Sequence, residues 1–168
     1  MDSIKRMDLE QTIEKYSDLL YRTCFLILRN SHDAEDAMQE TFIKYMKSDV
    51  EFSDEEHKKA WLLKVSQNKC KDMLRFHKVH AYIPYEEIQE HIVSHDFVDV
   101  EDIEEVIDIA KLSYKYKSVI LIHYIEGYSV KETADILGIT ESAAKSRLKR
   151  AREKLKGTFE MIYKEEIN

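Results

Sequence analysis

Apolar residues recur along most of this chain at three- and four-residue steps, the spacing that lines one face of an α-helix. In LEQTIEKYSDLLYRTCFLIL the stripe passes through Leu9, Ile13, Tyr16, Leu20, Cys24 and Ile27. Asn30 and Ser31 interrupt it. HDAEDAMQETFIKYM then predicts a second helix, with acids in its first turn where the helix dipole favours them. Its inward stripe is Ala37, Met38, Thr41, Phe42 and Tyr45, which leaves Asp33, Asp36, Gln39 and Glu40 outward. A polar break, KSDVEFSDEEHKK, leads to a third helix, AWLLKVSQNKCKDMLRFHK. Trp61 anchors it, its stripe runs through Leu62, Val65 and Leu74, and Asn68, Lys71, Asp72 and Arg75 share its polar face.

The same period returns near the C-terminus. YKYKSVILIHYIEGYS predicts a supporting helix with Val119, Ile120, Ile122, His123 and Ile125 mostly inward. Ser129 and Glu132 form a capping-box pattern, followed by an inner face of Val130, Ala134 and Leu137. Gly138 suits the left-handed turn, Ile139 plugs it, and Thr140 caps the next helix. There Ala144, Leu148, Ala151 and Leu155 fall on one stripe. Ser142, Lys145, Ser146 and Lys149 fall opposite, flanked by Arg150 and Arg152. Two short helices about one glycine, the second basic on its free face, predict a helix-turn-helix offering hydroxyls and cations to a DNA major groove.

Composition agrees with an all-α chain: three glycines and one proline in 168 residues supply little turn chemistry for sheets. A net charge of −7 argues against nucleic acid until its distribution is read. Residues 58–78 carry seven Lys and Arg against one Asp, and residues 145–156 carry seven against one Glu. Residues 33–56 carry nine acids and two lysines, and residues 81–110 carry ten acids without Lys or Arg. Two separated basic patches predict two contacts with a polyanion. The acidic stretch after Pro84 predicts a linker over 81–105 between two small helical domains, 1–80 and 106–168.

Together these stretches resemble the bacterial RNA polymerase sigma factors, and within them the two-domain extracytoplasmic-function group. YKSVILIHYIEGYSVKETADILGITESAAKSRLKRAREKL is similar to their C-terminal DNA-binding region. LuxR-type regulators close on similar helices, but they lack anything like DAEDAMQETFIKYM or AWLLKVSQNKCKDMLRFHK. The resemblance implies that Asp33, Asp36, Gln39, Glu40 and Phe42 contact the clamp-helix coiled coil of core RNA polymerase. It implies that Lys64, Asn68, Lys71, Asp72 and Arg75 face the −10 promoter element, Asn68 suiting a base edge and the cations phosphates. Ser142, Lys145, Ser146, Lys149 and Arg150 would then face the −35 element. It further implies promoter DNA as ligand, an anti-sigma factor as partner, a monomer within the holoenzyme, and a linker threading towards the polymerase active site.

The sequence departs from the family in three places. Leu112 is followed by Ser113 where Leu-Pro is frequent; Lys69 and Cys70 stand where small or aliphatic residues are common; and Lys145 and Lys149 offer point charges where arginine or an aromatic is frequent. No glycine-rich phosphate loop, serine elbow or Cys-x-x-Cys pair is present, so no enzymatic site and no cofactor is predicted. The pairs His77/His80 and His91/His95 lack a third ligand or thiolate, so no metal is predicted either. Cys24 and Cys70 read as buried reduced thiols. The absence of a signal-peptide core or an apolar run of spanning length predicts a cytoplasmic protein that does not insert in membranes. A DNA-binding regulator acting alone, and a helical adaptor whose basic patches bind an acidic protein, are the competing readings.

Overall fold

The computed structural model describes residues 1–76, Glu90 and residues 103–155, with side chains in the second stretch from Ile107 onward. All regular structure among these residues is helical. The chain divides into two units, Met1–Tyr82 and Ile83–Asn168. Most of the predicted acidic linker, and all four histidines considered for metal, lie outside the described residues.

The first unit packs three helices, α1 (Ser3–Leu28), α2 (Ser31–Lys47) and α3 (Glu55–Phe76). Between α1 and α2 the chain reverses at Arg29, which adopts a left-handed φ of 53° and donates its N–H to Phe25 O at 2.7 Å. Asn30 then caps α2 through Oδ1, which accepts from Asp33 N at 2.9 Å. Asp54 caps α3 in the same way, accepting from His57 N at 2.7 Å. Leu20, Cys24, Phe25, Ile27, Ala34, Ala37, Leu62, Leu63 and Cys70 form the dry centre. Both cysteines are buried free thiols.

Two apolar stripes differ from expectation. Ile13 points out, 38% exposed, and Thr12 takes its place inside. The reason is a polar seam: Asp8, Thr12 and Tyr16, four residues apart, face Tyr45, Lys58 and Glu55, so hydrophobicity alone misplaces the inward face by one residue. On α3 the core face runs through Leu62, Leu63, Ser66, Gln67, Cys70 and Met73, while Val65 and Leu74 are only half-buried. Ser66 is satisfied by donating to Leu63 O at 2.9 Å. Met38 likewise sits at the edge of its helix's buried stripe.

The second unit holds α4 (Ile103–Lys111), α5 (Tyr114–Ile120), α6 (Val130–Leu137) and α7 (Glu141–Lys154). Without a break α5 widens into a π-helical turn, Leu121–Ile125, with Glu126 N donating to Leu121 O at 2.9 Å. His123 Nδ1 donates to Tyr128 O at 2.6 Å, closing the loop that carries the chain into α6. Ile125 is therefore half-buried rather than core and His123 lies at the core's edge, whereas Val119, Ile120 and Ile122 are fully buried. Ser113 occupies the cap of α5 at φ −65°, without a side-chain bond.

Candidate nucleic-acid and protein interfaces

The helix-turn-helix is built by reciprocal caps. Ser129 Oγ accepts from Glu132 N at 3.1 Å, and Glu132 returns the bond to Ser129 N at 3.0 Å. The Ser129 backbone N–H first, and then its hydroxyl, hold the Glu132 carboxyl below its ordinary value. At the other end of α6, Gly138 takes φ 66°, a conformation a side chain resists. Ile139 N donates to Ala134 O at 3.0 Å and Gly138 N to Asp135 O at 3.3 Å, the paired bonds of a Schellman stop. Thr140 Oγ1 accepts from Ala143 N at 3.1 Å and starts α7. The inner face of α6 is Thr133, Ala134, Ile136 and Leu137; Val130, expected there, is half-buried.

Ala144, Leu148, Ala151 and Leu155 seat α7 on this unit's core. Ser142, Lys145, Ser146, Lys149 and Arg150 are exposed along its free side. Lys145 pairs with Glu141 at 3.6 Å, both largely solvated, so its charge is tempered at the helix start. Arg152 instead turns inward and donates Nη1 to Tyr124 Oη at 3.0 Å, tying α7 to the supporting helix. It is structural as well as cationic.

In the first unit Lys64, Asn68, Lys71, Asp72 and Arg75 are all exposed on α3. Their steps of three and four residues make one continuous face. Phe76 ends it, 81% exposed. On α2, Gln39 and Glu40 are exposed, and Asp33 and Asp36 are half-buried. Asp36 also lies 3.6 Å from His32 Nε2.

Phe42 does not join that face. It is 7% exposed within the three-helix core, because the spacing that makes it part of the Ala37–Thr41–Tyr45 stripe turns it inward. It occupies the inward stripe that the spacing predicts and there holds α2 in position beneath the outward row. Ile43 and Met46, 39% and 43% exposed, continue the outward row from Gln39 and Glu40. Sequence reading missed them, although three residues on from Glu40, or four from Gln39, reaches Ile43, and three more reaches Met46.

Beside these faces, the loop before α3 and the ends of α1 and α2 form an open cleft of about 710 Å³. Asp8, Asp49, Glu51, Asp54 and Glu55 line it against two lysines, Lys5 and Lys58. Phe52, in its wall, stacks with Tyr45 at 6.0 Å and meets Trp61 edge-on at 5.7 Å. Among the described residues no cluster of three metal-binding side chains occurs, and no helix is long and apolar enough to cross a membrane.

Comparison with known proteins matches a different family model within each unit. Residues 12–79 match the family model for Sigma-70 region 2, and residues 109–155 that for Sigma-70 region 4. The Bacillus subtilis ECF RNA polymerase sigma factor SigW is 29% identical over 158 residues, covering 86% of this chain and 84% of that one. The RNA polymerase sigma factor SigV of the same organism is 31% identical over 134 residues, covering 78% of each. Among solved structures, the fold is shared by the sigma factor RpoE of Bartonella quintana, crystallised with the anti-sigma factor NepR. There the TM-score is 0.63 at 22% identity, over 88% of this chain and 94% of that one. The chain thus belongs to the ECF group of the sigma-70 family, the factors through which RNA polymerase recognises promoters and initiates transcription.

Proposed function

We propose that the chain divides this task among three surfaces. The outward face of α2, with Asp33, Asp36, Gln39 and Glu40 followed by Ile43 and Met46, docks on core RNA polymerase. Acids there set register and speed of association with a basic partner, and the apolar pair supplies area to bury. The row Lys64–Asn68–Lys71–Asp72–Arg75 on α3 meets the −10 element, and Ser142, Lys145, Ser146, Lys149 and Arg150 on α7 meet the −35 element. The observation that carries the reading is the pair of exposed basic helix faces, one in each unit, the second on a fully capped helix-turn-helix.

The chain itself performs no chemistry in this reading; it positions the polymerase that does. It acts in the cytoplasm, as one copy per holoenzyme. An anti-sigma factor of the kind seen with the Bartonella protein restrains it until a signal arrives. Charge reversal at Asp36 and Glu40 should weaken competition for core polymerase while leaving helix content unchanged. Alanine at Lys145 and Lys149 should leave core binding intact and lower the salt slope of promoter binding by about 0.9 per lost phosphate contact. If the two sets of variants fail at the same step, the division of labour is wrong.

A further inference from the structure

The recognition helix carries a basic feature that its groove-facing residues do not account for. Ala143, Ser146, Arg147 and Arg150 follow at three- and four-residue steps along one flank of α7. Facing them are Lys115 and Tyr116 of α5, and the six residues line an open recess of about 230 Å³. Three of the six are cations and none is an acid.

Tyr116 organises this cluster. Its side chain is 9% exposed. Lys115 Nζ lies 4.9 Å from the ring centroid, and Lys154 Nζ 5.4 Å from it. The cations of Arg150 first, then of Lys115, hold the phenol below its usual range. Four cations thus gather about one phenol, an arrangement whose self-repulsion an anion would relieve. The carboxylate at the start of the same helix, Glu141, does not line the recess and pairs with Lys145.

Ser146 and Arg150 belong both to the recess and to the exposed face of α7, so an anion held there lies at the edge of the groove that helix enters. A duplex presents a phosphodiester at that edge, and elements flanking a recognition helix commonly cross the backbone there. We propose that the recess seats one backbone phosphate of promoter DNA, with Lys115 and Tyr116, outside the helix-turn-helix, as its DNA-contacting residues. The proposal rests on the promoter-binding reading above and deepens it: the seat fixes the angle at which α7 enters the groove, independently of base sequence.

The test uses holoenzyme reconstituted from the full chain and core polymerase, on a promoter fragment that this holoenzyme selects. Lys115→Ala should weaken binding roughly tenfold, as loss of one charge-assisted hydrogen bond does, equally on all −35 variants. It should reduce the salt slope by about 0.9. Tyr116→Phe, which keeps the ring, should give a smaller loss, and Lys115→Arg should restore most of the binding. Single methylphosphonates placed along the −35 flank should identify one position whose neutralisation harms the wild type but adds nothing to Lys115→Ala. If every methylphosphonate multiplies with Lys115→Ala, or the slope is unchanged, the seat is disproved while promoter binding stands. If millimolar inorganic phosphate shifts the Lys115 resonances and no methylphosphonate couples, the recess takes a free anion and the proposal fails. A wild-type holoenzyme that selects no fragment removes both the seat and the reading beneath it.

Discussion

Replacing Lys58 with Met should cost the first unit about 2 kcal/mol at neutral pH. Lys58 Nζ contacts Asp8 Oδ1 at 3.1 Å, Thr12 Oγ1 at 3.4 Å and Glu55 Oε1 at 3.7 Å, and lies 5.5 Å from the Tyr45 ring centroid. The lysine side chain is only 13% exposed, but its carboxylate partners are 49% and 56% exposed. Loss of an exposed pair costs at most about 1 kcal/mol and breaking a buried one about 3–5 kcal/mol. A half-sheltered, charge-assisted contact falls between, at about 2 kcal/mol. Methionine keeps the stem's packing, so the cavity term is small. Trp61 is the only tryptophan and meets Tyr45 edge-on at 6.1 Å, so urea unfolding followed by its fluorescence reports this unit.

The pH dependence fixes the cause. Tyr45's hydrogen bond first, then Lys58, holds Asp8 below the usual carboxylate range. Glu55 is lowered chiefly by Tyr16, whose hydroxyl donates at 2.6 Å, and then by Lys15 at 3.2 Å. For Lys58, burial pulls the ammonium down, but Tyr45 and Asp8 outweigh it and leave the group above its ordinary value. Depressed carboxylates contribute stability above their unfolded values, near pH 4, and lose it as pH falls through the folded ones. The raised lysine contributes fully below its unfolded value and loses this only in strong alkali. The cost of Lys58→Met should therefore be full at pH 7 and shrink below about pH 4. A loss under about 0.5 kcal/mol, or one unchanged between pH 7 and pH 3, would refute the argument, as would strict additivity with Asp8→Asn.

Gln67 is 1% exposed and neither amide atom has a hydrogen-bond partner, so Gln67→Met, close in volume, should stabilise the first unit by about 1 kcal/mol, seen as a higher urea midpoint of the Trp61 transition. Ser113 already has proline's φ at −65°, and Ser113→Pro should stabilise the second unit by about 0.4–1 kcal/mol in a thermal melt followed by circular dichroism. Ser129→Ala removes one half of the capping box and should cost about 1 kcal/mol, seen as faster amide exchange in the first turn of α6. Glu132 is held below its ordinary value chiefly by the Ser129 backbone N–H, which alanine keeps, so the acid-sensitive half of the cap is common to both proteins and most of the difference between them should persist as pH falls.

Much of the architecture was legible because local and global signals agree in the second unit. Ser129, Gly138 and Thr140 have the caps their residue types predict, and the Ala144–Leu148–Ala151–Leu155 stripe is the buried one. The first unit was harder. Its inner seam carries Asp8, Thr12, Tyr16 and Lys58, polar residues joined across as many as 50 positions of sequence, and a reading that seeks apolar residues inside passes over them. Ser66 and Gln67 hid the true face of α3 for the same reason. The widening of α5 at Leu121 left no mark in residue type. Among the candidate contacts, the α3 and α7 sets all lie exposed, since charged residues declare their face. Phe42 follows its spacing into the core, as the stripe predicts, although the resemblance sets it among the contact residues of the same helix.

Run-off transcription tests the central claim most directly. Core RNA polymerase is mixed with a genomic fragment library, with and without this protein, and transcript starts are mapped. The account predicts new starts that depend on the protein, preceded by two shared motifs at a fixed separation, and lost in a Lys145→Ala, Lys149→Ala double variant. Starts that do not depend on the protein, or footprints it makes without polymerase, would contradict it.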